Sequence, residues 1–327
     1  MPANLPPDYH RAEERYRVAK TAEEKIEALE EMLRIMPKHK GTDGLQADVK
    51  ARIAKLRKQP ARKGARASFS HVIPREGAGQ VVLVGPPNTG KSSVVTRLTH
   101  ATPEVAEYPF TTRDATPGMM PFEDIAFQLI DLPPLSTEHV EPWVFDLVRR
   151  ADLLWIVAHV ENALDEMEEA KRILEARNIG FYPAGSTPLR EDALGRVYRK
   201  GLLVVTGLDR PGAAEDLEVL HELLENRWTV AAVSCRSGQG LEDLRRKTFE
   251  AMEILRVYTK QPGKPPDRDA PFTLNRGAAV SDLAAKIHKD LLSNLKFARV
   301  WGKSAFDGQT VQRDHVLEEG DVVEIHT

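Results

Sequence analysis

Gly85-Pro86-Pro87-Asn88-Thr89-Gly90-Lys91-Ser92 is the stretch that decides how this chain folds. It fits the pattern G-x-x-x-x-G-K-[ST], follows the apolar run Val81-Val82-Leu83-Val84, and opens a segment that reads as helix. A strand that turns through glycines into a helix wraps its backbone N–H groups around an anion. The helix N-terminus adds favourable partial positive charge. In this pattern Lys91 reaches the β- and γ-phosphates and the Ser92 hydroxyl coordinates Mg²⁺. The expected phosphate-binding set is Gly85, Pro86, Pro87, Asn88, Thr89, Gly90, Lys91, Ser92 and Ser93.

Outward from this loop, short apolar runs recur at Ile125–Ile130, Leu153–Val160, Leu202–Thr206 and Thr229–Val233. Polar, helix-compatible sequence separates them, apart from an expected β-hairpin near the segment Tyr108–Arg113. Strands alternating with helices predict an α/β fold, a mostly parallel sheet with helices on both faces. Asp131 ends the run Phe127-Gln128-Leu129-Ile130, at the edge where a carboxylate holds Mg²⁺ through water. The bland reading of Asp131 is a helix cap or turn residue. Within Tyr108-Pro109-Phe110-Thr111-Thr112-Arg113, Thr112 is the expected contact to Mg²⁺ and the γ-phosphate, with Thr111 as competitor.

Toward the N-terminus, Ile26, Leu29, Leu33 and Met36 form the stripe of an amphipathic helix. Thr21 and Glu24 read as its capping box. Past a break at Lys40–Gly44, a second stripe runs through Leu45, Val49, Ile53 and Leu56, which together predicts a helical hairpin. Between Asp48 and Glu76 lie nine Lys or Arg residues and no carboxylate, including Lys50, Arg52, Lys55, Arg57, Lys58, Arg62, Lys63 and Arg66. Such a segment can neutralise RNA phosphates; equally, it reads as a solvated helix face and a tether. Net charge of −3 over 327 residues does not commit the whole molecule to nucleic acid. The lone Cys235 excludes an internal disulfide and a multi-cysteine zinc site. The polar first fifteen residues are unlike a signal peptide, and Leu153–Val160 is too short to span a bilayer. The expected location is the cytoplasm.

At the other end, Gln261-Pro262-Gly263-Lys264-Pro265-Pro266 reads as a linker into a small unit. There an extended Phe272-Thr273-Leu274 precedes a helix capped at Ser281, followed by strands at Phe297–Trp301 and Val322–Ile325. Trp301 reads as core, with base stacking as the rival, and His315 as a turn-stabilising residue. The expected division is 1–66 (helical hairpin and basic linker), 67–260 (P-loop domain) and 261–327 (small C-terminal unit).

The P-loop with its Asn88, Tyr108–Thr112, and Val233-Ser234-Cys235-Arg236-Ser237-Gly238-Gln239-Gly240-Leu241 together resemble the Obg and developmentally regulated GTP-binding protein branch of GTPases. Ala298–Gly302 and Asp314–Ile325 look like the TGS domain of the same branch, which implies a β-grasp fold for 261–327. The resemblance covers most of the chain but lacks the extra inserted domain of the eukaryotic members. It implies GTP/GDP binding, with guanine read by Asp209 and contacted by Thr206, Ser234 and Cys235. It also implies Mg²⁺ held by Ser92, Thr112 and Asp131, and catalysis by Lys91, Thr112 and Asn88, the last recruiting K⁺. RNA or the ribosome is the implied partner, with a protein partner left open and no membrane.

Two departures stand out. The family's D-x-x-G is Asp131-Leu132-Pro133-Pro134, and Pro134 has no N–H for the γ-phosphate. N-K-x-D is Thr206-Gly207-Leu208-Asp209, which keeps the guanine-reading carboxylate but loses the asparagine and the lysine stem that covers the base. Position 135, where a water-orienting glutamine often sits, is Leu. The leading expectation is a slow, K⁺-stimulated regulatory GTPase near translation. The rivals are a hydrolysis-deficient guanine-nucleotide-binding adaptor and a P-loop ATPase.

Overall fold

The computed structural model describes residues 9, 12, 15, 16, 22–36, 46, 48–53, 73–99, 115–136, 140–187 and 195–327. The chain divides into two compact units, Met1–Ser70 and His71–Thr327. In the first, helix α1 (Ala22–Ile35) buries Ala28, Leu29 and Met32. With Met36 these residues form a small core shared with Tyr9, Ala12, Val49 and Ile53. Residues 48–53 are helical, with Lys50 and Arg52 exposed on that helix. The expected capping residue Thr21, the break at Lys40–Gly44 and the remainder of the basic run lie outside the described residues.

The second unit begins with β1 (Gln80–Val84), the loop 85–90 and α2 (Lys91–Leu98). The hairpin β2 (Thr116–Phe122) and β3 (Ile125–Asp131) follows, then α3 (Pro142–Arg150), β4 (Leu153–His159) and α4 (Ala163–Glu175). Next come β5 (Ile179–Pro183), β6 (Val197–Thr206), α5 (Ala213–Leu223), β7 (Val230–Val233) and α6 (Leu241–Met252). The seven strands make one sheet in the order β2-β3-β1-β4-β6-β5, with β7 also paired to β6. All pairings are parallel except the β2–β3 hairpin.

Both faces of this sheet are covered, which is why its strands read as apolar runs rather than alternating ones. Val82, Val84, Leu154, Ile156 and Ala158 pack with residues of α3, α4 and α5 on one side. Val81, Leu83, Leu153, Trp155 and Val157 pack with residues of α2 and α6 on the other. Within this sheet, β5 is the strand that the sequence pattern does not announce. Its Ile179 and Gly180 are buried, and Phe181 meets Trp228 edge-on at 5.7 Å.

The second sheet contains β8 (Ile254–Thr259), β9 (Asp267–Asn275), β10 (Phe297–Trp301), β11 (Gln309–Val311) and β12 (Val322–His326), in the order β11-β10-β12-β8-β9. Helices α7 (Val280–Ile287) and α8 (Lys289–Asn294) join β9 to β10. Val280, Leu283 and Leu274 share a core with Val257, Ala298, Val300 and Val323. Sequence reading breaks the chain at Gln261–Pro266, but the second sheet already contains β8, which pairs in parallel with β12 through Tyr258 and Thr259. Glu253, in left-handed backbone at φ 54°, is the single residue between α6 and β8. The Pro/Gly run is therefore the turn from β8 to β9, where Lys264 N–H donates to Gln261 O at 3.0 Å.

The start of α7 also differs in detail. The helix opens at Val280, and the Asp282 carboxylate rather than Ser281 accepts from the Ala279 N–H at 2.8 Å. Trp301 is half-buried with Lys260 Nζ 4.0 Å from its ring centre. His315 Nε2 lies 3.1 Å from Ser304 Oγ, tying two loops together.

Arg256 fastens the second sheet to the first. Its Nη1 lies 2.5 Å from both Glu123 and Asp124 in the β2–β3 turn, its Nε 2.7 Å from Glu319, and its guanidinium 5.0 Å from the Phe249 ring centre. Tyr258 donates to Asp124. The Arg256 side chain is only 13% exposed and Asp124 24%, whereas Glu123 and Glu319 reach solvent, so the cluster lies between a surface and a buried ion pair. Arg256→Ala is expected to cost about 2 kcal/mol of unfolding free energy, between an exposed and a fully buried ion pair. Denaturant titration checks it; a change under about 0.5 kcal/mol, the surface-substitution level, would show the clamp carries little.

Candidate nucleotide site

The candidate site lies at the C-terminal ends of β1, β3, β4, β6 and β7, where open α/β sheets bind ligands. β1 is buried along its whole length, and the chain leaves it at Gly85. A Cβ on Gly85 would fall 2.3 Å from Val157 O, so only glycine lets the loop pass that close to β4. Asn88 adopts left-handed backbone at φ 64° and is exposed. Gly90, at φ 88°, immediately precedes α2, so the first N–H groups of α2 have no intrahelical partner and point into the loop.

Lys91 is 6% exposed, and its Nζ donates to Gly85 O at 2.9 Å and Pro86 O at 2.6 Å, with Thr89 Oγ1 at 3.4 Å. Burial lowers its pKa to about 8, against the pull of Asp131 and Glu166 in the other direction. Ser92 Oγ donates to Asp131 Oδ2 at 2.5 Å, while the buried Asp131 Oδ1 has no hydrogen-bond partner among the described residues. Burial raises the Asp131 carboxyl above its ordinary range, although the Ser92 bond and Lys91 oppose this. A buried carboxylate oxygen without a partner, beside a serine hydroxyl, is the hard-oxygen donor set that suits Mg²⁺.

On the base side, Thr206 Oγ1 donates to Thr89 O at 2.8 Å. The hydroxyl thus ties the end of β6 to the phosphate loop from a position where the family pattern carries asparagine. Asp209 is exposed, and its Oδ1 accepts from Ser234 Oγ at 2.7 Å. That bond is the main cause holding its carboxyl below the ordinary range. Ser234 is fully buried and also accepts from Ser237 N–H at 3.1 Å, while Leu208 N–H donates to Val233 O at 3.2 Å. The two loops are cross-linked into one wall. Half-buried Cys235 lies in it, its thiol pKa pushed up by burial.

The segment after Asp131 is fixed in place. Leu135 is fully buried, and its N–H donates to Gly85 O at 3.0 Å; Pro134 is exposed. Neither residue has a backbone N–H free for a phosphate. Lys91, Ser92, Asp131 and Thr206 are brought together, with Asp209 and Ser234 on the adjoining wall. Thr111 and Thr112 lie outside the described residues.

Two residues emerge that sequence reading did not single out. Glu166, in the first turn of α4, accepts from His159 N–H at 2.6 Å and is held above its ordinary pKa by burial. His159 ends β4 beside Gly207. Neither belongs to a motif, so nothing in the sequence marks them.

Residues 80–182 match the 50S ribosome-binding GTPase family and residues 255–327 the TGS domain. An uncharacterized GTP-binding protein of Methanocaldococcus jannaschii is 30% identical, over 93% of this chain and 92% of its own. The Saccharomyces cerevisiae protein called Ribosome-interacting GTPase 1 is 26% identical, over 93% of this chain and 99% of its own. Among solved structures, a GTP-binding protein from Pyrococcus horikoshii aligns with a TM-score of 0.52 at 16% identity, over 76% of this chain and 99% of its own. That last likeness concerns the fold alone. With the phosphate loop, the Asp209–Ser234 wall and the β-grasp sheet in place, the chain belongs to the family of GTP-binding proteins that join a GTPase domain to a TGS domain, in which Developmentally-regulated G-protein 2 of Arabidopsis thaliana is 27% identical over 92% of this chain and 90% of its own.

Proposed function

We propose that this GTPase is a slow, Mg²⁺-dependent and K⁺-stimulated switch that works near the ribosome by contacting RNA. The observation that carries the reading is the pairing of Asn88 with Leu135. The Asn88 side chain is exposed at the rim of the phosphate loop and makes no hydrogen bond with the described residues, so its amide oxygen is free to hold a monovalent cation. Leu135 occupies the place of a water-orienting glutamine but is buried in the core. Charge neutralisation beside the phosphates would then replace water orientation as the main lever.

The other roles follow from position. Lys91 would exchange the Gly85 and Pro86 carbonyls for β- and γ-phosphate oxygens, and the α2 N-terminus would hold phosphate oxygens by its N–H groups. Ser92 and Asp131, with Thr112, would hold Mg²⁺, which when bound neutralises charge developing on the phosphate oxygens. Asp209 would accept from guanine N1–H and N2–H, braced by Ser234, while the Cys235 backbone faces the base. The division into a helical N-terminal segment (1–66), a GTPase domain and a TGS domain belongs to this reading, the last boundary moved to Glu253. Exposed Lys50 and Arg52 and the TGS domain support RNA or ribosome contact. Among the described residues no helix is long and apolar enough to cross a membrane, and a cytoplasmic site of action fits the same reading.

Multiple-turnover phosphate release in KCl against NaCl tests the cation. We expect several-fold faster GTP turnover in K⁺, with the difference lost in Asn88→Ala. Equal rates in the two salts, unchanged by that substitution, would remove potassium from the scheme. A second reading is favoured by Pro134 and by the commitment of the Leu135 N–H to Gly85 O. In it the protein holds guanine nucleotide as an adaptor without turning it over. Tight GTP binding with no phosphate release in either salt would establish that reading instead.

A further inference from the structure

The wall that reads the base is one side chain short. Position 207, between Thr206 and Asp209, is glycine, so no side chain extends from the loop over the purine face. A Cβ built on Gly207 would lie 2.6 Å from His159 Nε2 and 3.2 Å from both Cδ2 and Cε1. The imidazole therefore stands against the Gly207 backbone on the side from which a side chain at 207 would depart. Gly207 also has φ 87°, a conformation that favours glycine. The His159 ring and the missing side chain are complementary, because the space holds one or the other.

The position of the ring is set by its strand. His159 pairs in parallel register with Thr206, whose hydroxyl grips the phosphate loop at Thr89 O. The His159 N–H is held by Glu166 at 2.6 Å, and its Nδ1 lies 3.5 Å from Glu161. Glu161 in turn holds Arg210 at 2.5 Å, on the residue after Asp209. The imidazole is 28% exposed. It thus stands against Gly207, in the segment that runs from Thr206, which grips the phosphate loop, to Asp209.

We propose that His159 is the base-covering residue of this protein: its imidazole packs on the face of the guanine ring and replaces the side chain absent at Gly207. The inference rests on the guanine site assigned above. A flat aromatic ring on a purine face contributes affinity without sequence-type hydrogen bonding, so base identity stays with Asp209 while His159 supplies contact area.

The test is GDP affinity, by calorimetry with Mg²⁺, for the full chain and for His159→Ala, His159→Phe and Asp209→Asn. Inorganic pyrophosphate serves as the probe of the phosphate loop alone. The expected result is GDP binding roughly 10-fold weaker in His159→Ala, the scale of losing one stacked ring. His159→Phe should retain most of the affinity, and pyrophosphate binding should be unchanged in both. Proton NMR of the wild type should show the His159 ring protons moved upfield by GDP and not by pyrophosphate. Unchanged GDP affinity in His159→Ala, with Asp209→Asn weakened, would overturn the proposal and leave the guanine site intact. Equal losses for GDP and pyrophosphate would overturn it too, since His159 would then only brace the loop. GDP affinity insensitive to Asp209→Asn would overturn the guanine site and this proposal together.

Discussion

Lys91→Ala is expected to lower multiple-turnover phosphate release from GTP by on the order of 10²- to 10³-fold, the cost of one preorganised charge-stabilising donor. The reason lies in how the side chain is stored. Nζ is buried against the Gly85 and Pro86 carbonyls, 2.9 and 2.6 Å away, at the mouth of the loop that would hold phosphate. A phosphate oxygen competes for the same three N–H donors and, being charged, is the better acceptor. Alanine leaves the loop backbone free to bind, so affinity should fall less than turnover. A turnover loss below about 10-fold would mean that charge at the phosphates is neutralised elsewhere, because single donors of this kind cost more than that.

The same lysine predicts a pH signature with a definite sign. Burial lowers its pKa from 10.5 to about 8. Between about pH 8 and 10.5 the unfolded chain therefore binds the proton that the folded chain has released, and stability rises with pH across that window. Below pH 8 the charged form is carried in both states, and the folded protein bears a penalty of about 3 kcal/mol. The stability difference between wild type and Lys91→Met, measured by denaturant titration without nucleotide, should shrink by that order as the window is crossed. A difference that stays flat from pH 7.5 to 10 would show that the buried ammonium is not destabilised.

How much of this could be read from the chain depends on the distance over which each feature is encoded. The phosphate loop was legible because its constraints are local: Gly85 and Gly90 are demanded by backbone geometry at those residues, and Lys91 by its place at the start of α2. The strands β1, β3, β4, β6 and β7 were legible because burial on both faces leaves uninterrupted apolar runs. β5 escaped because Ile179–Pro183 carries Gly180 and ends in Tyr and Pro, without that signature. The Gln261–Pro266 run pointed to a domain boundary and proved to be a turn within one sheet, since Pro and Gly mark a change of direction and say nothing of what lies on either side. The bonds that assemble the site were not legible. Thr206 reaches Thr89 across 117 residues and Ser234 reaches Asp209 across 25. Leu135 shows the same limit: only the folded core reveals that position 135 faces inward.

The second large effect concerns the base. Asp209→Asn is expected to reduce affinity for GDP by on the order of 10²-fold while improving affinity for XDP by a comparable factor. A carboxylate offers two acceptor oxygens to the N1–H and N2–H pair of guanine, whereas a carboxamide presents one acceptor and one donor. The donor faces N2–H in guanine but an oxygen in xanthine, so the substitution exchanges a repelled partner for an accepted one. Discrimination by a site that must pair polar groups is steep, because a mismatch leaves them unsatisfied. Asp209 is exposed, which places the effect below the 10⁴- to 10⁵-fold of fully buried sites. Its carboxylate is aimed by Ser234, whose own hydroxyl is fixed by the Ser237 N–H. Ser234→Ala should therefore weaken GDP binding without a gain for XDP, since it frees the carboxylate without changing its chemistry. Competition of GDP, ADP and XDP for the same protein separates these outcomes. If Asp209→Asn left the order of the three unchanged, guanine would have to be read by another part of the wall, and the Cys235 backbone would be the remaining contact.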